Sequence, residues 1–113
     1  MKLSEIVDRI YIDPRKFTEY ALNPSHPRGG HKARVFKSAL GYDVQSYENL
    51  KSQIESQALD AEATEGIVDK HGQRYVVDIP IKGPSGNEVL VRTCWSVPPG
   101  MKEARLTTLI VRK

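Results

Sequence analysis

Cysteine is all but absent from this sequence: Cys94 stands alone. An intrachain disulfide and a cysteine-built zinc site are thereby excluded, and such usage suits a reducing, cytoplasmic setting, although a secreted effector without its carrier would look the same. Long apolar runs are missing too. No stretch approaches the roughly 20 residues that a membrane-spanning helix needs. No charged–apolar–small leader opens the chain, so no membrane partner is expected. Low-complexity segments are also lacking. With 39% hydrophobic residues in 113, the composition predicts one folded domain, residues 1–113, built on a single core.

Strong net charge is the last absence, at +3, which is modest for a nucleic-acid binder. The charge is unevenly spread, however. Residues 1–43 hold 8 Lys/Arg and 5 Asp/Glu, residues 44–72 hold 2 and 6, and residues 73–113 hold 7 and 3. If the first and last segments meet, they share a basic face that attracts polyanions by releasing their counterions. Uneven surface charge without a ligand is the alternative.

The period of the apolar residues divides the chain into a helical half, about 1–60, and a sheet half, about 62–113. Leu3, Ile6, Val7 and Ile10 fall at i, i+3, i+4, i+7 and predict a short amphipathic helix. Asp13-Pro14 starts a second, with Asp as N-cap and Pro in the first turn; its buried side is Phe17, Tyr20 and Ala21. "NPSHPRGG", residues 23–30, is a Pro/Gly loop. A third helix runs from about His31 to Leu40 and ends at Gly41. A fourth follows Ser46, with Tyr47, Leu50, Ile54 and Ala58 at helical spacing.

The second half alternates instead. "QRYVVDIPIKGPSGNEVLVRTCWSV" is two β-branched and aromatic runs around a turn, a hairpin signal. Pairing Lys82 with Glu88 sets opposite charges face to face and fixes the register. Tyr75, Val77, Ile79 and Ile81 then align with Trp95, Thr93, Val91 and Val89 on one face, and Asp78 meets Arg92 on the other. "RLTTLIVR", residues 105–112, is a last strand, and Gly66–Asp69 with a turn at His71-Gly72 a further one. The fold class is α+β: N-terminal helices packed on one face of a three- or four-stranded antiparallel meander.

Cations gather where a helix least favours them. Arg28, His31, Lys32 and Arg34 crowd the start of the third helix, whose unpaired N–H groups already carry partial positive charge. On a helical wheel Val35, Phe36, Ala39 and Leu40 form the buried stripe. Lys32 falls inside that stripe and His31 at its edge, both aimed at the sheet. Snorkelling of the Lys32 ammonium into water is the structural alternative. With His26 and Arg28 nearby and Gly29 and Gly30 permitting close approach, the stretch has the ingredients of a phosphate site. Arg92, mid-strand, needs an outlet or a partner, for which Asp78 is the structural choice. Thr107 and Thr108 point to opposite faces of the last strand, which Arg105 begins. No metal-ligand set, Ser–His–Asp order or P-loop appears, so no metal or cofactor is expected. Metal-free work on a phosphodiester, or binding without chemistry, remains.

Three segments together resemble a known group: "FTEYALNPSHPRGGHKARVFKSALGY", "GQRYVVDIPIKGPSGNEVLVRTCW" and "RLTTLIV". They are similar to an uncharacterised bacterial domain family that shares N-P-x-H-P-x-G-x-x-K-A-x-x-F, Gly-Gln-Arg-Tyr, R-T-x-W and R-L-T-T segments. The resemblance implies a domain that also occurs fused to phage head-morphogenesis and toxin-like proteins, and it names no activity. A weaker, architectural resemblance extends to the barnase–EndoU–colicin–RelE group of metal-independent RNases and toxins. It implies that His31 takes the 2′-hydroxyl proton, that Lys32 and Arg92 neutralise the phosphate, and that Thr107 or Thr108 hydrogen-bonds it. RNA and a cognate antitoxin or immunity protein are the partners so implied. The glutamate base of barnase-type members has no counterpart near this site, and no leaving-group acid is assigned. A non-catalytic RNA- or phosphate-binding module is one alternative. A protein-interaction or immunity-type domain, working through the acidic stretch 44–72 and "SVPPGMK", is another.

Overall fold

The structure, a computed structural model, describes residues 1–112. It is an α+β arrangement of two α-helices and a π-helical turn against a five-stranded mixed sheet. The strands are β1 (Arg9–Tyr11), β2 (Ala63–Asp69), β3 (Gly72–Lys82), β4 (Glu88–Val97) and β5 (Glu103–Arg112), in the order β1-β5-β4-β3-β2. The helices are α1 (Gly30–Leu40) and α2 (Tyr47–Gln57).

The hairpin β3–β4 takes the register that the charges demand. Lys82 faces Glu88, Asp78 faces Arg92 and Tyr75 faces Trp95. Tyr75, Val77, Ile79, Ile81, Val91 and Trp95 are buried beneath the helices. Thr93 is buried in the same row and fully used: its hydroxyl donates to the Val77 carbonyl at 2.7 Å and accepts from the Trp95 indole at 2.8 Å. The opposite face, carrying Arg74, Val76, Asp78, Arg92, Cys94, Thr108 and Ile110, bears no helix and is only partly buried. α2 seals the open edge of β3 beyond its pairing with β2. The Gln53 amide accepts from Lys82 N–H at 3.1 Å and donates to its carbonyl at 2.8 Å, and Gln57 donates to the Pro80 carbonyl at 3.1 Å.

Four expectations are corrected. The antiparallel meander of three or four strands is a mixed sheet of five, and the helical half contributes one of them. Leu3–Ile10 is not a helix: a 3-10 turn, Leu3–Glu5, buries Leu3 and leads to Val7, after which β1 pairs in parallel with Glu103, Ala104 and Arg105. An i, i+3, i+4, i+7 pattern over eight residues fits this turn-then-strand as well as it fits a helix. The second helix is a π-helical turn, Phe17–Ala21, with Phe17 and Ala21 buried and Asp13 Oδ1 accepting from Arg15 N–H at 3.0 Å. The last strand begins at Glu103 rather than residue 105.

Candidate functional site

α1 ends as its sequence dictates, at Gly41 with φ 84°. Its start is unusual. The buried line is Gly30, Ala33, Phe36 and Leu40, with Val35 and Ala39 half-buried at the rim. The stripe is therefore rotated from the wheel reading, because α1 packs against the π-helical turn as well as the sheet. The glycines make that packing possible: a Cβ on Gly29 would lie 2.6 Å from the Tyr20 carbonyl oxygen, and one on Gly30 2.7 Å from that of Pro24. His26 turns back on the same loop. Its Nδ1 accepts from the N–H groups of Arg28 at 2.9 Å and Gly29 at 2.8 Å, so the ring proton sits on Nε2. The imidazole also stands edge-on to the Tyr20 ring, 4.7 Å between centroids.

Rotation of the stripe leaves Lys32 half-buried at its flank, beside β5. Its Nζ donates to Tyr20 Oη at 3.2 Å and to Thr108 Oγ1 at 3.3 Å, and lies 5.1 Å from the Tyr20 ring centre. Both partners are neutral. Among the described residues no carboxylate pairs with Lys32, whereas Arg92 and Arg112 share Asp78 and Arg9 and Arg105 share Glu103. A half-buried ammonium with hydroxyl partners alone keeps an unbalanced charge. The two hydroxyls have accepted from it, so their own protons are free to point outward. Beside it opens a cleft of about 390 Å³ lined by His31, Lys32, Val35, Ile110 and Val111.

A β-bulge decides between the two threonines. The β4–β5 register shifts between Cys94 and Trp95: Cys94 faces Thr108, while Trp95 faces Leu106. Thr107 is the extra residue, and its hydroxyl donates to the Cys94 carbonyl at 3.0 Å. Thr108 is thus the threonine beside Lys32. Arg92 lies two residues along β4 from Cys94, on the open face, with Nε and Nη2 on the Asp78 carboxylate at 3.0 and 3.1 Å. That guanidinium holds the Asp78 carboxyl below the ordinary carboxylate range. Burial pushes the Cys94 thiol up, although the charges of Arg92, Lys32 and Arg74 act on it in the other direction.

His31 and Lys32 thus line one cleft, with Thr108 bonded to Lys32 and Arg92 on the adjoining sheet face. His31 is exposed, not turned to the sheet as the helical wheel suggests. Arg28 is exposed on the loop, and Arg105 is engaged by Glu103 at 2.9 Å. Tyr20 is the member that sequence reasoning missed. A tyrosine on a buried helix side still needs a wet or hydrogen-bonded end for its hydroxyl, and that was the available signal.

A mixed β-sheet with its helices on one face and a cation-bearing cleft at the rim defines the class. The chain belongs to the family described as Domain of unknown function (DUF6883), which it matches over residues 2–113. No sequence among the curated proteins matches it. Its backbone is similar to a chain of the contact-dependent growth inhibition toxin–immunity protein complex from Klebsiella pneumoniae 342. That likeness has a TM-score of 0.68 at 17% identity, over 90% of this chain and 92% of that one. Among the described residues no helix is long and apolar enough to cross a membrane.

Proposed function

We propose that this domain is a toxin-type, metal-independent RNase whose centre is the cleft at Lys32. The observation that carries the reading is the Lys32 ammonium, held half-buried between two hydroxyls with no counter-ion among the described residues. The backbone likeness to a chain of a toxin–immunity complex supports the coarser class, a toxin- or immunity-type domain.

In this reading the 2′-hydroxyl of a bound RNA attacks the neighbouring phosphorus, with His31 accepting its proton. The P–O5′ bond breaks, leaving a 2′,3′-cyclic phosphate and a 5′-hydroxyl once the leaving oxygen takes a proton. We assign that role to Tyr20, whose oxygen accepts from Lys32 and whose hydrogen is free. Lys32 and Thr108 meet the charge that builds on the phosphate oxygens, the term that contributes most in such sites. Arg92 reinforces them from the next strand.

The test is a gel of labelled RNA incubated in EDTA with wild type, Lys32→Met and His31→Ala. Wild type should cleave and leave cyclic-phosphate ends, and both variants should lose at least about a hundredfold in rate. Lys32→Met should melt no lower than wild type, since it exchanges a half-buried charge for an apolar chain of similar length. Cleavage by Lys32→Met at the wild-type rate would overturn the proposal.

An immunity-type interaction domain is the second reading. It is favoured by Ile67 and Val68, 70% and 72% exposed on the edge strand β2 within the acidic stretch.

A further inference from the structure

Resting on the RNase reading, we infer that the helix-free face of the sheet is the path of the RNA strand, with Arg112 and Arg92 as a second phosphate-binding station. The strand rows line this path up. Val76, Cys94 and Thr108 form one row, Asp78, Arg92 and Ile110 the next, and Pro80, Leu90 and Arg112 the third. Two clefts flank these rows. One is the His31–Lys32 cleft, which Ile110 lines; the other, about 350 Å³, is lined by Glu62, Thr64, Val76, Asp78 and Arg92. Arg92 and Ile110 face one another across β4 and β5, so the clefts adjoin across a single strand pair.

Charge along the path is positive in excess. Arg92 and Arg112 both bind one carboxylate, with Arg112 Nη1 at 2.6 Å and Arg92 Nε at 3.0 Å from Asp78. Among the described residues one carboxylate balances one of these guanidiniums and leaves the other's charge open. The Glu62 side chain, 78% exposed, is screened by solvent, and Arg74 is engaged by Asp69 at 3.1 Å. Lys32 adds its unbalanced charge at the other end. Asp78 also orients the two arginine side chains, which leaves their outer N–H groups directed away from it. A polyanion in extended conformation, longer than one phosphate, fits such a row of cations. The apolar Val76, Leu90 and Ile110 between them give the bases something to lie on. Single-stranded RNA carries a row of phosphates together with unpaired bases that can lie on such apolar side chains; none of the residues in these rows is aromatic, so the phosphate contacts carry the binding.

The experiment measures binding of a fluorescent 2′-O-methyl RNA oligonucleotide, which lacks the attacking hydroxyl and is not consumed, across a salt series. Wild type should bind with an affinity that falls linearly with log salt. Arg112→Gln, which leaves Asp78 its Arg92 partner, should bind roughly two- to fivefold more weakly at low salt and lower the salt slope by about one. Lys37→Gln, on the far flank of α1, is the control and should match wild type. An Arg112→Gln protein indistinguishable from Lys37→Gln would overturn the path, as would a wild type that ignores the oligonucleotide. If RNA stays intact in the cleavage assay while Arg112-dependent binding is present, the RNase reading falls and the path stands. Cleavage with unchanged Arg112→Gln binding has the reverse meaning.

Discussion

Gly29 and Gly30 hold their places because nothing larger fits. A methyl group at Gly29 would enter the Tyr20 backbone, which has no flexible end to move aside. Gly29→Ala should therefore cost about 1–3 kcal/mol of stability, read from denaturant unfolding, through the strain of forcing α1 off the π-helical turn. It should also loosen the Lys32–Tyr20 contact and with it any activity at the cleft. At this scale the sequence was partly legible. Lys32 stands out on a helical wheel because a lysine in an apolar stripe is chemically conspicuous. The glycines suggest a bound anion equally well as a close backbone approach, and spacing does not distinguish the two. His26 was legible only as a nearby imidazole. Its use as an acceptor for two loop N–H groups depends on a local backbone path that no periodicity encodes.

Elements follow from pattern where the pattern has one solution. In the β3–β4 hairpin, period two and the Lys82–Glu88 pair leave a single register, and all ten pairs from Gln73–Val97 to Lys82–Glu88 obey it. Strand β1 has three residues, too few to declare a period, and its partner lies at the far end of the chain. The bulge at Cys94 was equally silent, since a one-residue register shift leaves no mark in composition. The clip between α2 and β3 belongs to this scale. Gln53→Ala removes both amide bonds to Lys82 and reopens a strand edge, and should cost about 1–2 kcal/mol in thermal or denaturant unfolding. Gln53→Glu should restore only the bond from Lys82 N–H, because a carboxylate cannot donate to the carbonyl.

Across the whole molecule, charge is managed by sharing. Asp78 serves two arginines and Glu103 two more, while Lys32 is left with hydroxyls. The carboxylates of Asp13, Asp69, Asp78 and Glu103 are all held below their ordinary range; for Asp13 the Arg15 guanidinium brings it down to about 2. A carboxylate with a depressed folded-state value stabilises above its unfolded value, about 3.9 for aspartate, and that stability is lost as pH falls through the folded value. The melting temperature should thus be level near neutrality, then fall progressively from about pH 4 towards pH 2. Asp13→Asn should remove part of the lowest-pH fall in a melting series.

The parallel pairing of β1 with β5 carries a consequence in time rather than in structure. The Arg9–Glu103 contact spans 94 residues of sequence, and only three residues on each side form the ladder. Closing so long a loop costs entropy that three pairs recover only after the rest of the sheet exists to receive them. β1 is therefore expected to pair late, and hydrogen exchange should show its amides losing protection before those of β3 and β4. The cleft at Lys32, built by α1, the π-helical turn and the far half of β5, is expected to assemble before the N-terminal strand arrives.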